Sequence, residues 1–193
     1  TLSTAAEEGK KQIAITFDDG PNPEYTMKLL EGLKKRGVKA TFFVLGEEVE
    51  RYPDILKAAY DDGHLIGVHS YQHVNFGQIG DAAALEQVEK TRQAIYDVTG
   101  EYTGYIRPPY GCWKKELDQE LPMIEVLWDI DPLDWATKDA DTVVQRVLQK
   151  CPDGSIILLH DASESSVCAA FTIIDTLQKQ GYEFVTVEEL MLE

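Results

Sequence analysis

Basic side chains are scarce in this chain. Lysines and arginines number 18 against 34 aspartates and glutamates over 193 residues, a formal charge of −16. So few cations cannot neutralise a line of phosphates, which excludes nucleic acid and anionic membrane surfaces as partners. Long apolar runs are missing too. None approaches the roughly 20 residues that span a bilayer, so no membrane insertion is expected. There is no Gly-x-x-x-x-Gly-Lys loop to cradle phosphates. Cysteine is limited to Cys112, Cys151 and Cys168, with no Cys-x-x-Cys pair to hold a structural zinc. Free thiols are expected, although a Cys112–Cys168 bridge stays open for an oxidising compartment. The opening Thr1–Lys10 lacks the basic-then-apolar build of a secretory leader. Either the chain is cytoplasmic or it is a mature form whose leader has gone.

What is present is enough for a core: 44% of residues are apolar and 27% charged. After a polar segment at 1–11, short β-rich runs recur at Gln12–Phe17, Lys39–Val44, His64–Val68, Thr103–Ile106, Ile124–Trp128, Ser155–Leu159 and Glu183–Val187. Stretches with helical spacing separate most of them. In Ser166–Gln180 the apolar stripe is Val167, Ala170, Phe171, Ile174 and Leu177. In Asp81–Thr99 it is Leu85, Val88, Ile95 and Val98. Gly37, Gly63, Gly100 and Gly181 follow such stretches, where a left-handed residue ends a helix, so 24–36 and 54–62 also read as helices. Strand-then-helix repetition implies a parallel sheet covered by helices. Seven units at about 28 residues each sit close to the minimum for such a repeat. One domain over 12–193 is expected, as a closed or nearly closed (β/α) barrel, with an open doubly wound sheet as the alternative.

Reactive residues collect at one edge. Asp18 and Asp19 follow the first run, His69 and His73 the third, and Arg107 the fourth. Asp129, Asp131 and Asp134 follow the fifth, and His160 and Asp161 the sixth. All lie at C-terminal strand ends, where parallel α/β folds assemble active sites. His69 and His73 are four residues apart, so one helical turn would let both reach a single ion. An isolated pair with this spacing is more often surface histidine. Here, however, three of only four histidines in the chain fall on the same edge. Asp18 and Asp19 enter a Gly-Pro turn, and adjacent strand residues point to opposite sides, so they are not an obvious two-toothed chelator. A division of labour fits better, one carboxylate on a metal and the other on a proton. Taken alone, Asp-Asp-Gly-Pro is an ordinary solvated turn.

Arg107-Pro108-Pro109-Tyr110 is stiff, which suits a backbone N–H aimed at a developing oxyanion. Trp128 and Trp135 flank three acids, a composition suited to sugar stacking. Trp128 itself reads more simply as core. Two histidines with an aspartate would accept Zn²⁺, Co²⁺, Ni²⁺ or Mn²⁺.

Taken together, T-F-D-D-G at 16–20, H-S-Y-Q-H at 69–73, R-P-P-Y at 107–110, D-P-L-D-W at 131–135 and L-L-H at 158–160 resemble the five motifs of the polysaccharide deacetylases with a NodB-homology domain, carbohydrate esterase family 4. Each motif is weak alone, and five in order are specific. The resemblance covers Gln12 to Leu192 and implies a distorted (β/α) barrel of about seven strands. It implies Asp19, His69 and His73 as metal ligands, with zinc first among the ions. It further implies Asp18 as general base, held by Arg107, and His160 as general acid, paired with Asp134. The backbone N–H of Tyr110 would serve the oxyanion, and Trp135 and Leu158 would wall the acetyl methyl. The implied reaction is removal of acetyl from N-acetylglucosamine units of chitin oligomers or peptidoglycan, outside the cell or at its surface. An O-acetyl esterase acting on acetylxylan is the alternative, and a non-catalytic carbohydrate-binding barrel is a rival of another class. A two-carboxylate glycosidase would leave the three histidines without a task.

Overall fold

The computed structural model describes residues 9–192, so residues 1–8 of the expected polar segment lie outside the described residues. The described residues form seven strands and seven α-helices, mostly in alternation along the chain. The first strand, β1, is Lys11–Asp18, and helix α1 is Thr26–Lys35. Strand β2 is Thr41–Val44, followed by α2 (Gly46–Arg51) and α3 (Pro53–Asp61). Next come β3 (Leu65–Val68), α4 (Asp81–Thr99), β4 (Tyr105–Ile106) and β5 (Ile124–Glu125). The chain ends with α5 (Ala140–Gln149), β6 (Ile156–His160), α6 (Glu164–Lys179), β7 (Tyr182–Phe184) and α7 (Val187–Met191).

All strand pairs are parallel, in the order β5-β4-β3-β2-β1-β6, with β7 pairing the start of β1. Between the outer strands, β5 and β6, the gap is bridged by irregular chain. Val126 N–H donates to Ile106 O at 2.8 Å, and four residues on Ile130 forms a parallel bridge to Ile157. The sheet therefore curls into a distorted barrel. The open doubly wound alternative is not what forms.

Period-two alternation sorts β1 into two faces. Ile13, Ile15 and Phe17 point outward into the large cluster made with Leu29, Leu30 and Leu33 of α1 and Ile173 and Ile174 of α6. Burying a side chain such as Phe17, 1% exposed, is worth about 1.5–3 kcal/mol. Ala14 points inward, where Phe43 and Val126 form a small separate cluster. Gly67 on β3 makes room there, since a Cβ at that position would sit 2.6 Å from the Phe43 ring. The larger inward positions of β1, Thr16 and Asp18, are polar and lead to the barrel mouth.

Several elements depart from expectation for identifiable reasons. The run 124–128 stops pairing after Glu125 because Arg107 takes the carbonyls of Val126 (3.1 Å) and Leu127 (2.9 Å). The run 183–187 ends at Phe184 because Thr186 and Glu189 form a capping box that starts α7 instead. Helix α5 has its own sequence signal, overlooked in a strand-then-helix reading. Asp139 caps Thr142 N at 3.0 Å, and Val143 and Val147 are buried one turn apart. Trp128 is half-buried rather than core, with the Arg107 guanidinium 5.7 Å from its ring. All three cysteines are free thiols, so the Cys112–Cys168 bridge is not made.

Candidate active site

Arg107 organises the floor of the barrel mouth. It follows β4, is fully buried, and lies over the Phe43 ring at 4.3 Å. Its guanidinium donates to Asp18 Oδ1 at 2.8 Å, to Thr16 Oγ1 at 2.6 Å, and to the two carbonyls already named. Thr16 in turn donates to Ile157 O on β6. This buried network pairs one cation with one carboxylate and gives four of the five guanidinium hydrogens an acceptor, as a buried charge requires. Thr16 is part of the site that sequence reasoning missed; its position two residues before Asp18 was the available signal.

Asp19 is left-handed, with φ of 79°. That turn brings its carboxylate back over the same opening as Asp18 rather than to the opposite side. His69 Nε2 lies 3.2 Å from Asp19 Oδ1 and 3.7 Å from Asp18 Oδ2, and His73 Nε2 lies 3.4 Å from Asp19 Oδ1. The two histidines are not on a helix. Residues 69–73 form a bend in which Ser70 (φ 97°) and His73 (φ 57°) are left-handed, and the rings meet edge-to-face at 5.2 Å. The expected four-residue proximity is achieved by backbone strain instead of a helical turn. Among the described residues, the non-glycine residues with positive φ are Asp19, Ser70, His73, Tyr110 and Leu133, and each lies in a segment that carries a site residue. Each costs on the order of 1–3 kcal/mol, a concentration typical of working sites.

The donor atoms of Asp19, His69 and His73 lie within 4.8 Å of one another, and among the described residues this is the one such group of three. Three observations fit a metal ion. Asp19 Oδ1 is buried with no hydrogen-bond partner. His69 donates its Nδ1–H to Arg107 O at 2.6 Å, which leaves the Nε2 lone pair facing Asp19. Donor separations of 3.2 and 3.4 Å match the roughly 3.3 Å between ligands about 2.0 Å from a tetrahedral centre. Burial works to raise the pKa of Asp19, but the facing imidazoles of His69, His160 and His73 hold it below the ordinary carboxylate range.

On the opposite wall, His160 ends β6. Its Nδ1–H donates to Asp134 Oδ1 at 2.8 Å, and its backbone N–H donates to Asp134 Oδ2 at 2.8 Å. Ser166 Oγ also donates to Oδ2, at 2.7 Å. Asp134, 1% exposed, is thereby fixed in place. Burial opposes charge on His160, yet the Asp134 hydrogen bond and charge, helped by Asp18 and Asp19, push it up to about 9. His160 Nε2 faces Asp19 Oδ2 at 3.9 Å. Leu158 shares the inward face two residues earlier and is 4% exposed.

Tyr110 is left-handed (φ 61°) in a short 3₁₀ turn after Pro108, and its ring stands edge-to-face with His73 at 5.1 Å. Trp135 is 64% exposed. It shares with Asp19, Asp134, His160, Tyr25 and Lys138 the lining of a cleft of about 680 Å³. Asp18, Asp19, His69, Arg107 and His160 thus converge from β1, β3, β4 and β6 and the loops that follow them, whereas Asp129, expected at the same edge, lies beside the start of β6, its Oδ2 accepting from Ile156 N–H at 2.8 Å. Chemically, the arrangement sets a triad of donors that could hold a cation between a carboxylate on one side and an imidazole on the other.

Comparison with known proteins agrees with this geometry. The family model described as polysaccharide deacetylase matches residues 5–125. A peptidoglycan-N-acetylglucosamine deacetylase of Listeria monocytogenes is 39% identical over 180 residues, which is 93% of this chain and 39% of that protein. A peptidoglycan-N-acetylmuramic acid deacetylase of Bacillus subtilis is 41% identical over 184 residues, 95% of this chain and 39% of that one. The chain therefore spans about two fifths of the length of these relatives. A solved structure of a peptidoglycan deacetylase from Bacillus subtilis superposes with a TM-score of 0.92 at 42% identity, covering 95% of this chain and 91% of the other.

Proposed function

This chain belongs to the polysaccharide deacetylase family, and from that premise we propose that it is a metal-dependent hydrolase that removes acetyl groups from a glycan, N-deacetylating N-acetylglucosamine units of peptidoglycan. Residues 12–193 act as one catalytic domain, and the substrate places its work at the cell wall, outside the cell. The observation that carries this reading is the orphaned Asp19 oxygen between two imidazole nitrogens, flanked by Asp18 and His160.

Asp19, His69 and His73 would hold one divalent ion, zinc first, since two imidazoles and a carboxylate suit it and also accept cobalt, nickel or manganese. Bound there, the ion supplies Lewis acidity and a water of lowered pKa. Asp18 accepts the proton of the attacking water. Arg107 keeps that carboxylate aimed beside the triad. The Tyr110 N–H donates to the acyl oxygen as it gains charge. His160, charged through Asp134, delivers its proton to the departing nitrogen, so that acetate and a free amine leave. Trp135 and Leu158 enclose the acetyl methyl. An amide demands this acid more than an ester does, because an amine is the poorer leaving group. The strongly supported imidazolium of His160 therefore favours the amide over the acetylxylan alternative.

The test is acetate release from a panel of peptidoglycan, chitin oligomers and acetylxylan. Acetate from the N-acetylated glycans, without chain shortening, is expected. Release from acetylxylan alone would reverse the amide assignment, and no release from any would sink the reading.

A further inference from the structure

Asp161 is a buried carboxylate that the reaction above does not use. It follows His160 directly, is 1% exposed, and its Oδ1 has no hydrogen-bond partner among the described residues. Its Oδ2 accepts from Thr26 Oγ1 at 2.5 Å, across 135 residues of sequence. Thr26 Oγ1 in turn accepts from the backbone N–H of Asn22 at 2.7 Å. The carboxylate also packs directly on Gly20: a Cβ there would lie 2.6 Å from Oδ2 and 2.8 Å from Oδ1. No side chain other than hydrogen fits between them.

These contacts bracket the loop that carries Asp19. Gly20 and Asn22 lie just beyond Asp19, and both are fixed from the β6 side by one carboxylate. On the other side, Asp19 N–H donates to Phe43 O at 3.2 Å, and Gly20 O accepts from Leu45 N–H at 3.0 Å. Asp19 itself is held left-handed, a conformation that an aspartate leaves unless its surroundings fix it. An acid is a poor choice merely to fill this space. Leaving one of its buried oxygens unpaired costs about 1–3 kcal/mol, and burial pushes its pKa up to about 6. The arrangement makes sense if the Thr26 bond and the close seat on Gly20 are what is needed.

We propose that Asp161 is a positioning residue for the metal site: through Thr26 and Gly20 it clamps the loop at 19–22 and so holds the Asp19 carboxylate where His69 and His73 can share an ion with it. The inference rests on the triad reading above.

Cobalt titration of the full chain separates the two. The wild type is expected to bind one Co²⁺, with visible d–d bands that His69→Ala abolishes; failure here would overturn the triad itself. Given that binding, Asp161→Asn and Thr26→Val are expected to weaken the Co²⁺ affinity about tenfold or more and to shift the bands. Thr26→Ser, which keeps the hydroxyl, should restore wild-type affinity and spectrum. Thermal denaturation run alongside identifies a variant that fails to fold, and either of the two then carries the test alone. Wild-type affinity and bands in a folded Asp161→Asn or Thr26→Val would overturn the proposal while leaving the triad intact. So would a Thr26→Ser variant as weak as Thr26→Val.

Discussion

Replacing Arg107 by methionine would test how the barrel mouth is held together. Methionine keeps the length and apolar stem but removes every donor. Asp18, with a side chain only 3% exposed, then loses its 2.8 Å charged partner, and Thr16 and the carbonyls of Val126 and Leu127 lose theirs. Breaking a buried ion pair from one side costs about 3–5 kcal/mol, because the remaining charge is uncompensated. At about 2–4 °C per kcal/mol for a chain of this size, the melting temperature should fall by roughly 6–20 °C. Asp18→Asn in the same background should recover part of the loss, since no charge is then stranded. Thermal melts of the wild type, the single variant and the double variant decide the matter. A single variant within about 2 °C of wild type, or a double variant no more stable than the single, would refute the reasoning.

Three further outcomes are expected. Asp134→Asn removes the charge that lifts His160 to about 9. The imidazolium is the working acid and is populated below its pKa, so the alkaline limb of kcat/KM should move down by about one unit or more; the stability that the pair contributes below about 6.5, and that wild type loses as pH rises through about 9, should diminish as well. An unmoved limb counts against Asp134 as the cause. His160→Ala should lower amide hydrolysis by about 10²–10⁴ while an activated acetyl ester loses far less, and equal losses would remove His160 from the acid role. Trp135→Ala should raise KM for oligomers by about 2–10-fold at nearly unchanged melting temperature, because the ring is 64% exposed and supports little of the core. An unchanged KM would exclude it from the substrate wall.

The barrel was legible because its signals are local. The runs expected to end at Phe17, Val68 and Leu159 are β-rich and apolar and pair along nearly their whole length. So was the edge at which the site forms, since topology alone sends Asp18, His69, Arg107 and His160 to the same mouth. The details that differ are long-range or torsional. The shortening of the fifth strand depends on a guanidinium 19 and 20 residues away claiming its carbonyls. The convergence of Asp19, His69 and His73 depends on left-handed residues that a pattern of residue types does not encode. Asp161 was visible as one more acid at the edge, but its bond to Thr26 spans 135 residues and appears only in three dimensions.

The central claim is that the Asp19–His69–His73 cluster, with Asp18 and His160 beside it, removes acetyl groups from a glycan with the help of one divalent ion. The most direct measurement is acetate released from N-acetylated peptidoglycan by the chain after chelation, and again as Zn²⁺ or Co²⁺ is added back. The account predicts no release from the stripped chain, and recovery that saturates at one equivalent of metal and is absent in His69→Ala. Full acetate release by the stripped chain, or recovery undiminished by His69→Ala, would contradict it.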